Sequence, residues 1–499
     1  MTTMGRGESR ASVLPLIAVD RSAPRPLHKQ IYEAYRARIL GGNLRAGQRV
    51  PSTRTLASEL GISRIPVLNA YAQLVAEGYF ESRVGSGTFI SRAMPERSLS
   101  FENHPATPRR PRRSGPRPIA ASASALARYE APPWVLGRGA FNVGQPALDA
   151  FPFPIWSNLV SRYARNLQLR ALAYGRPLGL DELRAAIAEY LQTARAVRCE
   201  PQQIMIVNGS QQALDISSRV LLNPGSPAWV EEPGYWLVRN SLITLGARIV
   251  PVPVDGEGLD VTAGIKLCSR ARVAYVAPSH QFPLGVTMSA SRRLQLLDWA
   301  QSTGAWVVED DYDSEYRYES MPVASLQGLD RHSRVIYIGT FSKVLFPSLR
   351  LGYVVMPPDL VDRFMAVRNA MDICPSHLQQ AVLADFITEG HFLRHIRRMR
   401  LLYGERRAVL VDSIRAEFGS SWQVTGAEAG LHVVLLLPRG LRDREICVRA
   451  AERKVWLWPL SPSYLRSPRR QGFILGFASA TPPAIPAAVR VMSSAAGAG

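Results

Sequence analysis

The stretch VIYIGTFSKVLFPSLRLGY, residues 335–353, decides how the larger part of this chain is read. It opens with an apolar, strand-sized run, Val335–Ile338, and just beyond it stands Lys343, between Thr340 and Arg350. Lysine is scarce: the 499 residues contain Lys29, Lys266, Lys343 and Lys454 and no others, so positive charge is supplied almost wholly by arginine. Most lysines are inert surface residues. This one follows a buried-type strand, and in open α/β sheets ligands bind beyond the carboxyl ends of the strands. An amine there can form a Schiff base, with Thr340, Ser342 and Arg350 available to hold a phosphate.

Working outward, further strand candidates are Ile204–Val207, Trp229–Glu231, Val273–Ala277, Trp306–Glu309 and Gly352–Met356, with helical patterns at Asp181–Thr193, Gln211–Leu222 and Ser291–Thr303. The alternation predicts an α/β fold with a mainly parallel sheet. The strand ends carry chemistry. Asn208-Gly209-Ser210 leads into a helix whose free N–H groups, at Ser210 and Gln211, suit a phosphate. Tyr235 in EEPGYW is either a stacking ring or core. The run EDDYDSEY, Glu309–Tyr316, offers five acids that could hold a metal, but no histidine is near in sequence and the spacing is not that of a calcium loop. Its Asp310 could instead hold a protonated pyridine nitrogen, and Tyr312 could donate to a ring oxygen. An amine, an acid, a stacking ring and an anion cup converge on pyridoxal 5′-phosphate.

The segment from about Phe141 to Val489 resembles a fold-type-I aminotransferase, on the motifs YGRPLG (Tyr174–Gly179), NGSQQALD (Asn208–Asp215), EEPGY (Glu231–Tyr235), PSHQFPLG (Pro278–Gly285), EDDYDSEY and TFSKVLFPSLRLGY. The resemblance implies that Lys343 carries the cofactor covalently, Asp310 pairs with the ring nitrogen and Tyr312 bonds the ring hydroxyl. It implies that Tyr235 stacks on the ring and that Ser210, Gln211 and Arg350 bind phosphate. Tyr174 reaches the phosphate of the other subunit, which implies a homodimer. His280 or Gln281 stands where such enzymes have an asparagine. One departure matters: Ile474, in FILGF, stands where an arginine for the substrate carboxylate is expected, with Arg466, Arg469 and Arg470 just upstream as substitutes.

The other end of the chain is different in kind. Residues 1–120 hold 19 Arg+Lys against 8 Asp+Glu, net +11, while residues 121–499 hold 41 against 32, net +9. Such a basic excess points to a polyanion partner, most simply nucleic acid. Helical periodicity runs from Leu27 through Ile31, Tyr35 and Ile39. A short helix, Thr53–Leu60, follows with Ser52 as cap, and a third starts after Ser63 with Val67, Tyr71 and Leu74 in phase. Tyr79–Ser91 reads as two short strands around Gly85-Ser86-Gly87. Three helices and a two-stranded ribbon make a winged helix-turn-helix. Its third helix is expected in the major groove, with Ser63, Arg64 and Val67 facing the DNA. Ser52 and Arg54 are expected on the backbone, and Gly85 and Gly87, beside Arg83, let the wing approach a phosphate. The stretch Arg49–Ser91 resembles the GntR-type domain, and the order of the two modules is similar to that of MocR-type GntR regulators.

Between them, PRRPRRSGPRP (Pro108–Pro118) has five arginines and four prolines and reads as an extended basic linker. The expected organisation is a tail (1–14), a winged-helix domain (15–93), a linker (94–134) and an aminotransferase-like domain (135–499). Four widely spaced cysteines form no CxxC pair, which argues against a disulfide framework or a zinc site. No membrane-length apolar run or signal-type segment is present, so a cytoplasmic protein is expected. Two functions compete: a transcription regulator of promoter DNA, sensing the cofactor or an effector (an amine, an amino acid or vitamin B6), and an active aminotransferase tethered by a DNA-binding head.

Overall fold

The computed structural model describes residues 17–83, 85–92, 118–127, 139–166, 169–318, 324–419 and 422–497. The tail and most of the linker lie outside them. The chain divides into two compact units, Met1–Arg117 and Pro118–Gly499, called head and body below.

The head holds helices α1 (Leu27–Leu40), α2 (Thr53–Glu59) and α3 (Arg64–Ala76), then strands β1 (Phe80–Arg83) and β2 (Gly87–Ile90), paired antiparallel. Ile31, Tyr35 and Ile39 of α1 bury against Leu56 of α2 and Val67, Tyr71 and Leu74 of α3. Tyr35, Tyr71 and Phe80 meet edge to face at centroid distances of 5.7, 5.2 and 5.1 Å, the arrangement aromatic quadrupoles favour. Ser52 caps α2 by accepting from the Thr55 N–H at 3.1 Å. Ser63 occupies the cap position of α3 without a side-chain hydrogen bond. A cap's side-chain oxygen accepts from the second or third helical N–H, and here the third residue is Pro66, which has none.

The body is built on an eight-stranded sheet in the order β3-β10-β9-β8-β7-β4-β5-β6: β3 Ile204–Val207, β4 Pro227–Glu232, β5 Arg248–Asp255, β6 Gly258–Leu259, β7 Val273–Val276, β8 Trp306–Asp311, β9 Val335–Thr340 and β10 Gly352–Val355. The run β9-β8-β7-β4-β5 is parallel; β10 opposes both its neighbours, so β3 again runs the same way as β9. The carboxyl ends of β3, β4, β7, β8 and β9 therefore share one edge. β5 is the strand the sequence hides. Its RIVPVPVD carries Pro251 and Pro253, which demote a strand reading. Both prolines share a parity that turns their nitrogens away from β4; the Pro253 carbonyl on that side accepts from Asp260 N–H at 2.9 Å.

A second, antiparallel sheet has the order β11-β12-β14-β13: β11 Gln423–Thr425, β12 His432–Leu436, β13 Trp458–Pro459 and β14 Gly472–Gly476. The apolar run VVLLL, residues 433–437, supplies most of β12. Helices His391–Phe418 and Ala484–Ala496 pack on it around Phe473, Leu475, Leu435 and Val433.

Candidate functional site

Ser210, Tyr235, Asp310, Tyr312 and Lys343 line a single cavity of the body. Ser210 follows β3, Tyr235 follows β4, Asp310 and Tyr312 close β8 and Lys343 follows β9, so the shared strand direction is what gathers them. The Lys343 Nζ donates to the Gly144 carbonyl at 2.9 Å. Gly144 has φ +73°, and a Cβ there would collide with that amine. Burial holds the Lys343 pKa below its ordinary value, against the pull of Asp313 and Asp310. A larger neutral, nucleophilic fraction of the amine results.

The five acids of the β8 end separate cleanly. Glu309 accepts from the Leu326 and Gln327 N–H groups, both at 2.9 Å. Asp311 pairs with Arg195 at 2.8 Å and accepts from the Tyr337 hydroxyl at 2.6 Å. Asp313 contacts His280 Nδ1 at 3.1 Å and accepts from Leu431 N–H at 3.2 Å. Glu315 accepts from Tyr190 at 3.1 Å. Asp310 alone makes no hydrogen bond among the described residues, and its Oδ1 is buried without a partner. Burial, then repulsion from Asp311 and Asp313, push it up to about 7, with Lys343 opposing. An orphaned buried carboxyl beside a buried amine is a place for a cationic nitrogen.

At the other end of the cavity, Gly209 (φ +86°) precedes the helix Ser210–Leu221, and Arg350 (φ +52°) donates to the Asn208 carbonyl at 3.1 Å. A Cβ at 209 would stand 2.9 Å from that guanidinium. Thr340 Oγ1 accepts from Ser342 N–H at 3.2 Å, and the Ser342 hydroxyl is buried without a partner. The Gln211 side-chain amide donates to Ser241 Oγ at 2.9 Å and to the Leu237 carbonyl, while its backbone N–H stands in the first turn of the helix. Tyr174 is 83% exposed and lies outside its own chain's cavity.

His280 and Gln281 have different surroundings. Gln281 is saturated: its amide donates to the Pro233 carbonyl at 2.9 Å and the Phe282 carbonyl at 2.6 Å, and its oxygen accepts from Leu284 N–H at 3.0 Å. His280 does not line the cavity but stands behind two residues that do, its Nδ1 3.1 Å from the Tyr312 hydroxyl and 3.1 Å from Asp313. Histidines absent from the sequence neighbourhood of the acids thus arrive through the fold; His432 stands with its ring 4.7 Å from that of His280. Gly144, His432 and Trp458 line the cavity and follow none of the strands read from sequence, and Phe282 lies beyond the strand Val273–Ala277. Ile474 is 1% exposed in β14, paired with Val434 and Trp458. Arg466, Arg469 and Arg470 are exposed and none lines the cavity.

Residues 141–474 match the family described as aminotransferase class I and II, and residues 27–90 match the bacterial regulatory proteins of the gntR family. The chain is 42% identical over 481 residues to "Probable rhizopine catabolism regulatory protein MocR" of Rhizobium meliloti, covering 96% of each. The chain belongs to the MocR-type subgroup of GntR regulators. A second such relative, the pyridoxine biosynthesis regulator PdxR of Corynebacterium glutamicum, is 30% identical across 93% of this chain and 94% of its own. Among solved structures, LysN, an α-aminoadipate aminotransferase of Thermus thermophilus carrying N-(5′-phosphopyridoxyl)-L-leucine, superposes with a TM-score of 0.67 at 29% identity over 76% of this chain and 95% of that one. Pyridoxal 5′-phosphate is the cofactor of the body, and the lone Asp310, the half-buried Lys343 and the open helix start at Ser210 fit it.

The MocR-type head presents α3 outward through Ser63, Arg64, Ile65, Leu68 and Asn69. Arg64 is exposed and donates to Thr53 Oγ1 at 3.1 Å, which fixes it at the start of the helix. Ser52 and Arg54 are exposed on the neighbouring α2 end. Val67 does not face outward: it is 0% exposed, because the phase that aligns it with Tyr71 and Leu74 points it into the core. In the wing, Gly85 (φ +77°) has open space around its Cβ position. Gly87 instead accommodates protein, since a Cβ there would stand 3.1 Å from Arg49 Nε. Arg83 pairs with Glu81 at 2.5 Å and lies over the Phe89 ring at 5.0 Å. Arg49, exposed beside the wing, is the cation the sequence reading passed over.

Proposed function

We propose that this MocR-type regulator is a cytoplasmic homodimer that binds a specific promoter site and reads a small amine-bearing effector through cofactor held in the body. The observation that carries the reading is the pairing of a half-buried Lys343 with an unpartnered Asp310 in one cavity of a chain that also holds a winged-helix head. When bound, the cofactor supplies an aldehyde carbon for amines and an electron-withdrawing ring. Lys343 is the amine that holds that carbon. Asp310 takes the ring nitrogen's proton into a hydrogen bond that satisfies its orphaned oxygen. Tyr312, backed by His280, donates at the ring hydroxyl, and Tyr235 covers the ring face. The Ser210 hydroxyl, the Ser210 and Gln211 N–H groups, Thr340, Ser342 and Arg350 hold the phosphate.

Tyr174 serves the partner subunit's phosphate; its exposure, with Leu169 at 86% and Leu172 at 70%, supports a dimer contact there. Ser63 and Arg64 read the major groove, and Ser52, Arg54, Arg83 and Arg49 hold the backbone. Relatives matched along nearly the whole chain are regulators, which supports this reading over a tethered transaminase. A footprint on the region upstream of its own coding sequence, with and without pyridoxal phosphate, tests it. A protected site whose affinity falls steeply with salt and shifts with cofactor is expected. Equal binding to random DNA would sink the proposal.

A further inference from the structure

We propose that the effector is a primary amine whose remaining body carries no carboxylate, sulfonate or phosphonate. This rests on the effector reading above and narrows it to a chemical class. The charged groups lining the cavity are mostly acidic. Its acids are Glu231, Asp310 and Asp313; among the described residues Lys343 is the one cation that lines it. Lys343 is committed to the cofactor, and Arg350 lies across the Asn208–Gly209 turn at the phosphate end. His432 offers no positive charge: burial and its neighbour His280 hold it well below the ordinary histidine range, and its Nε2 donates to the Pro283 carbonyl at 3.0 Å. Glu231 is pushed up to about 8 by burial and adds an acid that can donate, not a counter-charge for an anion.

The wall facing the strand ends has the wrong chemistry for an acid as well. Phe282 and Trp458 line it, and Val434, Leu460 and Ile474 pack against them in one apolar cluster. Ile474 is 1% and Phe282 8% exposed. A carboxylate pressed here gives up its hydration with no cation in exchange. Arg239 is turned to the Pro462 carbonyl, and Arg466, Arg469 and Arg470 face solvent. A neutral-bodied amine incurs none of this cost.

The test uses the full-length, cofactor-loaded protein and amine/amino-acid pairs that differ only in the carboxylate: isobutylamine with L-valine, ethanolamine with L-serine, 2-phenylethylamine with L-phenylalanine. Two readouts are followed, the cofactor absorbance band and the melting temperature. The amines are expected to perturb both at concentrations at least about tenfold lower than their amino-acid partners. Ile474→Arg should bring the amino acids level with, or ahead of, the amines. Trp458→Arg, at a half-buried position on the same wall, serves if the first variant does not fold. Amino acids acting as well as amines on the wild-type protein would overturn the inference while leaving the cofactor reading intact. A protein that shows no cofactor band at all would instead overturn the reading beneath it.

Discussion

The head and the body place their working groups in opposite environments. In the head, Arg54 and Arg64 are exposed, and the core beneath is aliphatic and aromatic, with Ser91 as its buried polar side chain among the described residues. In the body, Lys343, Asp310 and Tyr312 are half-buried around a cavity, and the charged groups Glu309, Asp311, Asp313, Arg195 and Arg293 behind them are buried. A surface site can be altered with little effect on folding, whereas a buried charged site couples function to stability. Each prediction below strains or refines that contrast.

The largest effect is expected from Lys343→Ala. No cofactor should remain attached after borohydride reduction, judged by intact mass, while circular dichroism shows the fold retained. Cofactor still trapped in that variant would mean that another amine does the work. Next comes Arg64→Ala, which should weaken promoter binding by about 1–3 kcal/mol, seen by fluorescence anisotropy, and leave cofactor uptake unchanged. Val67→Ala then separates the two roles of one helix. It should lower the head's unfolding free energy by about 2 kcal/mol through two lost methyl groups and a small cavity, measured by denaturant titration. A selective change in base preference with no loss of stability would contradict the buried placement.

The smallest effect is a pH dependence of the cofactor-free body. Asp310 rises from an ordinary value near 3.8 to about 7 on folding. The folded state therefore keeps a proton that the unfolded chain surrenders, and its contribution is present below about 4 and lost as pH climbs toward about 7. Asp310→Asn should flatten part of that decline in a series of melting temperatures. A decline as steep as the wild type's would place its cause elsewhere, for example at Glu309 or Glu315.

How much of this was legible in the sequence depends on whether a signal is local. The strand ends at Asn208, Asp310 and Lys343 could be read because an apolar strand followed by a polar residue is a contiguous pattern, and a parallel sheet gathers such ends. β5 could not, because its prolines speak against a strand until the neighbour on their side is known. Val67 was readable two ways, by its place near the helix start and by its phase with Tyr71, and phase decided. His280 and His432 reach Asp313 across long stretches of chain, so no spacing rule finds them. The arginine-free wall was half visible: Ile474 stood out in the sequence, but only the second sheet shows Phe282 and Trp458 beside it.

Gly144 lies 199 positions from the lysine whose amine its carbonyl accepts, and both its backbone angle and the space beside it exclude a side chain. A genetic hunt for regulators that still occupy their operator yet ignore their signal should therefore collect mutations there. Such alleles would mimic loss of the lysine while leaving every titratable group in place, and a reader scanning only for altered charges would pass them by.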